Sequence, residues 1–331
     1  MLLLVLSKEN LALAQAEAER LYGASGRREG CLLFLDASEY REGLAFTREI
    51  HELVATIPVR ADVSPEMLTD TLSGVPYATF VQPPFLVRKR GDASLSEQEL
   101  AGHVWRSLEG AGKTPEVDLK NPTSSVYFFF REHEVDVALL RWRNEERFFD
   151  RRPHLRPRNH PTSLSPKLAR AMINLAGLPS SPASILDPFC GSGGILLEGC
   201  LAGRAMTGID IDPGQIRRSE ENLAHYGQHA NLAVGDATAC DQYGAFDAIV
   251  TDLPYGRNSV LKDAEATFTR FFGAAAKITG TMVVAADEAF RLAPGFSASW
   301  RETASFSWPL HKSMTKRIYL LAVSSRARSP P

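Results

Sequence analysis

The sequence has few cysteines, no long apolar run and almost no net charge. Its four cysteines, at positions 31, 190, 200 and 240, form no CxxC pair, which excludes a disulfide framework and favours a reduced, cytoplasmic protein. The apolar run from Leu2 to Leu6 is too short for a membrane span or a signal peptide, so no membrane partner is expected. The eight histidines form no HExxH motif, and no catalytic metal is expected.

The formal net charge of −2 hides an asymmetry between the two halves of the chain. Residues 1–150 carry 17 basic and 24 acidic side chains, whereas residues 151–331 carry 20 and 15. Any nucleic acid must therefore be bound by local basic patches and not by overall charge. With 44% hydrophobic and 23% charged residues, the 331-residue chain is predicted to fold throughout, as two or three domains.

Apolar runs alternate with helical patterns and predict an α/β protein. Residues 1–58 show the strand, helix and strand of a small α+β module, and residues 59–147 form a second unit that ends in a predicted hairpin. Residues 148–163 are rich in proline and arginine and are the candidate linker. This segment is either a solvated tether or a binding site for a polyanion. From residue 164 strands and helices alternate, which predicts a mostly parallel, doubly wound sheet.

Three acidic residues follow successive predicted strands in the C-terminal part. Asp187 precedes a glycine-rich turn, Asp210 ends the next strand, and Asp236 follows the third. Glycines allow a ligand to approach the backbone at a helix N-terminus, but Asp187 would repel a phosphate and no GxxxxGK[ST] lysine is present. A carboxylate suits a cation or an ammonium group instead, and S-adenosylmethionine carries both beside an adenosine. A purely structural turn is the alternative for the glycine loop alone.

The segment 252–256, Asp-Leu-Pro-Tyr-Gly, follows another predicted strand and indicates the reaction. An aryl amine is a poor nucleophile until acceptors hold its hydrogens. Asp252 and the carbonyl of Leu253 can accept them, Pro254 restricts the loop, and Tyr255 can stack on a base. Asp252 can also take up the released proton as a general base. An ordinary proline–tyrosine turn is the alternative, which the three preceding acids disfavour.

These motifs resemble those of class I S-adenosylmethionine-dependent amino-methyltransferases, and the whole chain resembles the archaeal tRNA guanosine-10 N2-methyltransferases. The resemblance rests on residues 187–194, 252–256, 150–154, 160–170 and 311–317, and residues 117–122 look like part of a THUMP RNA-binding domain. It implies a ferredoxin-like module over 1–58, a THUMP domain over 59–147, a basic linker over 148–163 and a Rossmann-like methyltransferase domain over 164–331.

The resemblance implies transfer of one or two methyl groups from S-adenosylmethionine to the exocyclic N2 of guanosine 10 in tRNA. Carried over by residue, the catalytic set is Asp252, Leu253, Pro254 and Tyr255. The cofactor-binding set is Asp187, Phe189, Cys190, Gly191, Gly193, Asp210, Ile211, Asp236 and Ala237. Leu253 stands where the family usually shows a second proline, so a less rigid loop is expected.

Basic side chains in both halves are the expected contacts to tRNA, the implied partner. They are Arg88, Lys89, Arg90, Arg141, Arg143, Arg151, Arg152, Arg156, Arg158, Lys312, Lys316 and Arg317. Because residues 61–150 contain 10 basic and 15 acidic side chains, binding there depends on few cations. The sequence leaves a small activator subunit open, and no DNA partner is expected.

Alternatives to this function stay open at the level of sequence. The same chemistry could act on guanosine 6 of the acceptor stem, where THUMP-linked relatives with similar motifs act. A DNA amino-methyltransferase is more distant, because the THUMP-like half disfavours it. A non-enzymatic tRNA-binding protein with a degenerate methyltransferase half is the last, and the intact acids at 187, 210, 236 and 252 speak against it.

Overall fold

A computed structural model describes residues 1–59, 65–92, 94–158, 163–178, 182–254, 264–288, 299–311 and 314–324. The chain divides into two compact units. The first comprises Met1–Leu6, Ser25–Glu42 and Thr47–Asn144, and the second comprises Ser7–Ala24, Gly43–Phe46 and Glu145–Pro331. The N-terminal segments thus alternate between the two units, and the boundaries proposed from sequence at residues 58, 147 and 163 stay predictions.

A seven-stranded sheet forms the first unit. Its strands are β1 (Leu2–Leu6), β2 (Gly26–Glu29), β3 (Leu32–Leu35), β4 (Thr47–Pro58), β5 (Phe85–Arg90), β6 (Ser124–Phe130) and β7 (Glu134–Arg143). They are ordered β2-β3-β1-β4-β7-β6-β5, and the β5–β6 pair is parallel while the other pairs are antiparallel. The predicted hairpin is the β6–β7 pair. Strands on both sides of residue 58 therefore belong to one sheet.

Helices of the first unit cover one part of this sheet. Helix α1 (Leu11–Tyr22) belongs to the second unit, whereas α2 (Pro65–Ser73) and α3 (Glu97–Gly110) belong to the first. Helix α3 begins at a capping box, in which the Ser96 hydroxyl accepts from the Glu99 amide at 3.2 Å and the Glu99 carboxylate accepts from the Ser96 amide at 2.7 Å. Apolar side chains of α2, α3 and the sheet form one buried core.

The second unit contains the other seven-stranded sheet. Its strands are β8 (Ser184–Asp187), β9 (Ala205–Asp210), β10 (Asn231–Val234), β11 (Ala248–Asp252), β12 (Thr281–Asp287), β13 (Trp300–His311) and β14 (Met314–Val323). They are ordered β10-β9-β8-β11-β12-β14-β13; the first five are parallel, and β14 is antiparallel to both of its neighbours. The order reverses between β8 and β11, which confirms the predicted doubly wound, Rossmann-like sheet.

Four further helices belong to the second unit, of which the first precedes β8 and the other three lie between strands of the sheet. They are α4 (Pro166–Leu175), α5 (Gly194–Leu201), α6 (Pro213–His225) and α7 (Ala264–Ile278). Helix α6 begins at Asp212, whose carboxylate accepts from the Gly214 amide at 2.7 Å, and Pro213 occupies the first helical position. Of the helices described, none is long and apolar enough to cross a membrane.

Helix α1 contacts α4 through buried polar side chains within the second unit. The Glu17 carboxylate accepts hydrogen bonds from the amides of Ala45 at 2.6 Å and Phe46 at 2.8 Å, and from Asn174 of α4 at 2.7 Å. Arg20 donates to the carbonyl of Leu175 at 3.0 Å, near the end of α4. The second unit thus includes a helix that lies more than a hundred residues earlier in the chain.

Candidate active site

Four acidic residues lie at the carboxyl edge of the second sheet. Asp187, Asp210 and Asp252 are the last residues of β8, β9 and β11, and Asp236 follows β10 by two positions. Parallel strands end at a common edge, so the structure brings these predicted residues to one side of the sheet. The β8–β11 switch point lies among them, and open α/β sheets bind ligands at such a point.

Two glycines shape the loop between β8 and α5. Gly191 and Gly193 have positive φ angles of 53° and 81°, a conformation that L side chains rarely adopt. A Cβ built on Gly193 would also lie 3.0 Å from the Ser219 hydroxyl, which donates to the Gly191 carbonyl at 2.7 Å. Gly191 is partly exposed and has open space where a Cβ would stand, whereas Gly193 is buried against Ser219. Cys190 is buried in this loop, and burial raises the pKa of its thiol.

The Asp187 carboxylate is buried, with 1% of the residue exposed. Its Oδ1 accepts from the Thr251 hydroxyl at 2.6 Å and from the Phe189 amide at 3.3 Å. Burial, together with repulsion from Asp252 and Asp210, raises the pKa of Asp187 to about 7. An ammonium group bound beside this carboxylate would stabilise its ionised form, so the site fits a cationic ligand.

Asp210 holds the glycine loop in place. One of its oxygens accepts from the Gly191 amide at 2.9 Å and the other from the Asp212 amide at 2.9 Å. The next side chain, Ile211, is 73% exposed. Asp236 is exposed and accepts from the Thr238 amide at 2.8 Å, while the neighbouring Ala237 is buried. The arrangement offers acids and an apolar surface suited to an adenosine.

Asp252 pairs with Lys316 of β14. The Lys316 ammonium donates to Asp252 Oδ2, and its side chain is 1% exposed. The other oxygen, Oδ1, is buried and accepts no hydrogen bond from the described residues. Burial raises the pKa of Asp252 to about 6, although the Lys316 cation favours the ionised form. One oxygen of this carboxylate is thus fixed and the other is available to a donor.

The position of Lys316 corrects the expectation that it contacts tRNA. Residues from Met314 onward belong to β14, in which Lys316 is buried while its neighbours Thr315 and Arg317 are partly exposed. The composition of 311–317 indicates a surface segment, but the alternation of a strand places every second side chain on the inner face. The sequence also missed β13, because this edge strand is rich in polar residues.

The remaining predicted catalytic residues follow β11 directly. The Leu253 amide donates to the Ala285 carbonyl of β12 at 2.9 Å, and 2% of Leu253 is exposed. This bond fixes the backbone just after Asp252. Pro254 is the last described residue of the segment, and Tyr255 lies outside the described residues, as does Lys312. Phe189 packs edge-on against Phe271 of α7, with ring centroids 5.0 Å apart.

The four arginines predicted to contact tRNA in the first unit are paired with acidic side chains. Arg88 contacts Glu97 at 3.1 Å, and Arg90 and Arg143 share Glu49 at 3.5 and 3.1 Å. Arg141 pairs with Glu52, and the Lys89 amide donates to Glu97 at 2.9 Å. The paired arginine side chains keep between 35% and 51% exposure. Their role in RNA binding stays a prediction.

The predicted linker is folded onto the second unit. Residues Phe148–Arg151 and Pro153–Leu155 form short 3₁₀ turns. Arg151 donates to the buried carboxylate of Glu198 on α5 at 2.8 Å, and Arg158 donates to Glu221 on α6 at 2.6 Å. Arg152 is exposed and lies over the Phe149 ring at 4.2 Å. Arg156 is 5% exposed, so this predicted RNA contact is buried.

Comparisons with known proteins agree on a methyltransferase. Residues 153–303 match the family UPF0020, described as an RMKL-like methyltransferase domain, and residues 83–221 match a family described as DNA methylase. The chain is 30% identical over 292 residues to the tRNA (guanine(10)-N2)-dimethyltransferase of Methanothermobacter thermautotrophicus. The aligned residues cover 85% of this chain and 84% of that protein.

Two further comparisons cover shorter or more distant matches. The tRNA (guanine(10)-N2)-dimethyltransferase of Methanocaldococcus jannaschii is 36% identical over 181 residues, which is 52% of this chain and 50% of that protein. The crystal structure of TrmN from Thermus thermophilus is 19% identical, covers 98% of this chain and 99% of its own, and superposes with a TM-score of 0.48.

Proposed function

The chain belongs to the family of the tRNA (guanine(10)-N2)-dimethyltransferases, and from this we propose that it methylates the exocyclic N2 of guanosine 10 in tRNA. It is an S-adenosylmethionine-dependent enzyme, as its family and its methyltransferase domain establish. The observation that carries the proposal is the Asp252 carboxylate at the end of β11, with Oδ2 held by Lys316 and Oδ1 free of donors among the described residues.

The glycine loop and the neighbouring acids fit S-adenosylmethionine. We assign its ammonium group to the buried Asp187 carboxylate, its ribose to Asp210 and its adenine to Asp236, beside the exposed Ile211. Gly191, which has open space where a Cβ would stand, leaves room for the ligand beside the backbone of this loop. When bound, the cofactor supplies a methyl group made electrophilic by a sulfonium sulfur.

The reaction needs an amine nucleophile, and Asp252 prepares it. Its Oδ1 accepts one hydrogen of the guanine amine and the Leu253 carbonyl accepts the other, which draws the lone pair out of conjugation with the ring. The proton released as the new carbon–nitrogen bond forms passes to Asp252. Lys316 orients the carboxylate and keeps it ionised until then.

The same acceptors can serve a second transfer. N2-methylguanosine still carries one amine hydrogen, which Asp252 Oδ1 can accept while the methyl group takes the place of the hydrogen held by Leu253. The names of the relatives, which are dimethyltransferases, support two successive transfers. We therefore propose N2,N2-dimethylguanosine as the final product.

Methyl transfer to an unmodified tRNA transcript tests this function. Labelled S-adenosylmethionine, nuclease digestion and mass spectrometry are expected to locate N2-methylguanosine and then N2,N2-dimethylguanosine at position 10. A transcript with adenosine at position 10 should accept no label, and a transcript with adenosine at position 6 should accept as much as the unmodified one. The opposite pattern would move the target to guanosine 6, and no transfer by a protein that binds the cofactor would contradict tRNA as its substrate.

A further inference from the structure

The Arg156 guanidinium is buried at the N-terminus of α5. Its Nε donates to the Arg151 carbonyl at 2.9 Å, but Nη1 and Nη2 are buried and make no hydrogen bond to any described residue. A Cβ built on Gly194, the first residue of α5, would lie 3.0 Å from Nη1. The side chain therefore directs an unpartnered amino group at the first turn of the helix.

In the part of the chain that the structure describes, no side chain caps the same helix end. Gly193 is its N-cap and offers no side chain, so the first amides of α5 have no capping acceptor there. Those amides and the helix dipole favour an anion at this position. A guanidinium thus lies beside this helix N-terminus, and both attract negative charge.

The surrounding charges leave a cation in excess. Arg151 and Arg170 both pair with the buried Glu198 carboxylate, at 2.8 and 3.2 Å, and both also contact Glu146. Three arginines thus stand against two glutamates, and no acid among the described residues is in hydrogen-bond contact with Arg156. Burial lowers the pKa of Arg156. A buried cation of this kind is costly unless an anion joins it.

We propose that Arg156 binds the α-carboxylate of the cofactor's amino-acid portion, with the first amides of α5 as further donors. A guanidinium presents parallel N–H groups that match the two oxygens of a carboxylate. The amino-acid portion carries one ammonium and one carboxylate, and the acidic Asp187 accounts only for the ammonium. The inference rests on the proposed position of the cofactor in the glycine loop. A tRNA phosphate would offer similar oxygens, but the burial of Arg156 favours a small ligand.

Ligands that differ only in this carboxylate test the assignment. We would measure the affinity of the full chain for S-adenosylhomocysteine and for its decarboxylated analogue, S-adenosyl-3-thiopropylamine, by calorimetry. The wild type is expected to bind the first roughly ten- to a hundredfold more tightly, the range for hydrogen bonds between charged groups. Arg156→Gln should lose this preference by weakening S-adenosylhomocysteine alone. Arg217→Gln, on the exposed surface of α6, should keep it.

Gly194→Ala gives an independent test if Arg156→Gln does not fold. Alanine is favourable in a helix, but its Cβ must displace Nη1, so the preference should fall while the analogue still binds normally. An unchanged preference in Arg156→Gln, or equal loss of both ligands in a folded variant, would overturn the assignment. A lower tRNA affinity with the preference intact would point to a phosphate and also overturn it. A wild type that binds neither ligand would instead contradict the proposed cofactor site.

Discussion

Replacing Asp187 with asparagine should stabilise the protein and abolish cofactor binding. The pKa of Asp187 is raised from 3.8 to about 7 by burial, so the ionised carboxylate is unfavourable in the folded, ligand-free protein. Asparagine has nearly the same shape and keeps an oxygen that can accept from Thr251. It carries no charge at any pH, and it cannot neutralise an ammonium group.

The size of the effect depends on pH. As pH rises from about 4 to 7, the unfolded chain releases a proton that the folded protein retains, so the wild type loses stability over this range. A difference of roughly three pKa units corresponds to about 4 kcal/mol. Asp187→Asn should therefore raise the free energy of unfolding by about 4 kcal/mol at pH 8, but only by about 2 kcal/mol at pH 5.

Urea denaturation of the ligand-free protein at pH 5 and pH 8 measures these differences. Asp247→Asn is the matched control, because hydrogen bonds from Ser184 lower the pKa of Asp247. That variant should be less stable than the wild type at pH 8, the opposite sign. The reasoning would be refuted if Asp187→Asn were no more stable than the wild type at pH 8, or if its gain in the free energy of unfolding were equal at both pH values. Calorimetry should show no binding of S-adenosylmethionine to this variant.

Asp252→Ala should abolish methyl transfer while calorimetry finds nearly unchanged affinity for S-adenosylhomocysteine; equal loss of binding would show that Asp252 holds the cofactor. Lys316→Met should raise the pKa of Asp252 above about 6, because the neighbouring cation is lost. The acidic limb of the pH profile of kcat should therefore move to higher pH by about one pH unit or more, and Lys316→Arg should restore its position. An unmoved limb would contradict the pairing. Glu17→Ala leaves the buried amides of Ala45 and Phe46 unpaired and should lower the free energy of unfolding by about 2 to 5 kcal/mol in urea, whereas an unchanged midpoint would contradict this anchoring role.

The sequence was sufficient for the parallel strands of the second sheet and their acidic edge. Alternating strands and helices imply parallel strands, and parallel strands end at one edge, so Asp187, Asp210 and Asp252 could be expected together. No side-chain contact was needed for that inference. The order of strands at the far end was harder, because β13 is an edge strand whose polar residues give no apolar pattern.

Charge patterns were less informative, because composition does not specify partners. Lys316 and Arg156 both lie in basic segments that suggest an RNA surface, yet both side chains are buried in the second unit. Their burial depends on contacts with Asp252 and with the start of α5, which are distant in sequence. The sequence pattern places the helix around Glu17 in the N-terminal module, whereas the structure groups it with the second unit. Its partner Asn174 is more than 150 residues away, so no local pattern indicates this contact.

The distance between α1 and α4 along the chain has a consequence during synthesis. Helix α1 ends at Tyr22 and its partner α4 begins at Pro166, so the ribosome must add 143 residues between them. At typical elongation rates this takes roughly 7 to 30 seconds. During that interval Leu13, Ala18 and Leu21, which are buried in the folded protein, have no partner from α4. A chaperone that captures nascent chains would therefore find in the first helix an apolar target that persists for this interval.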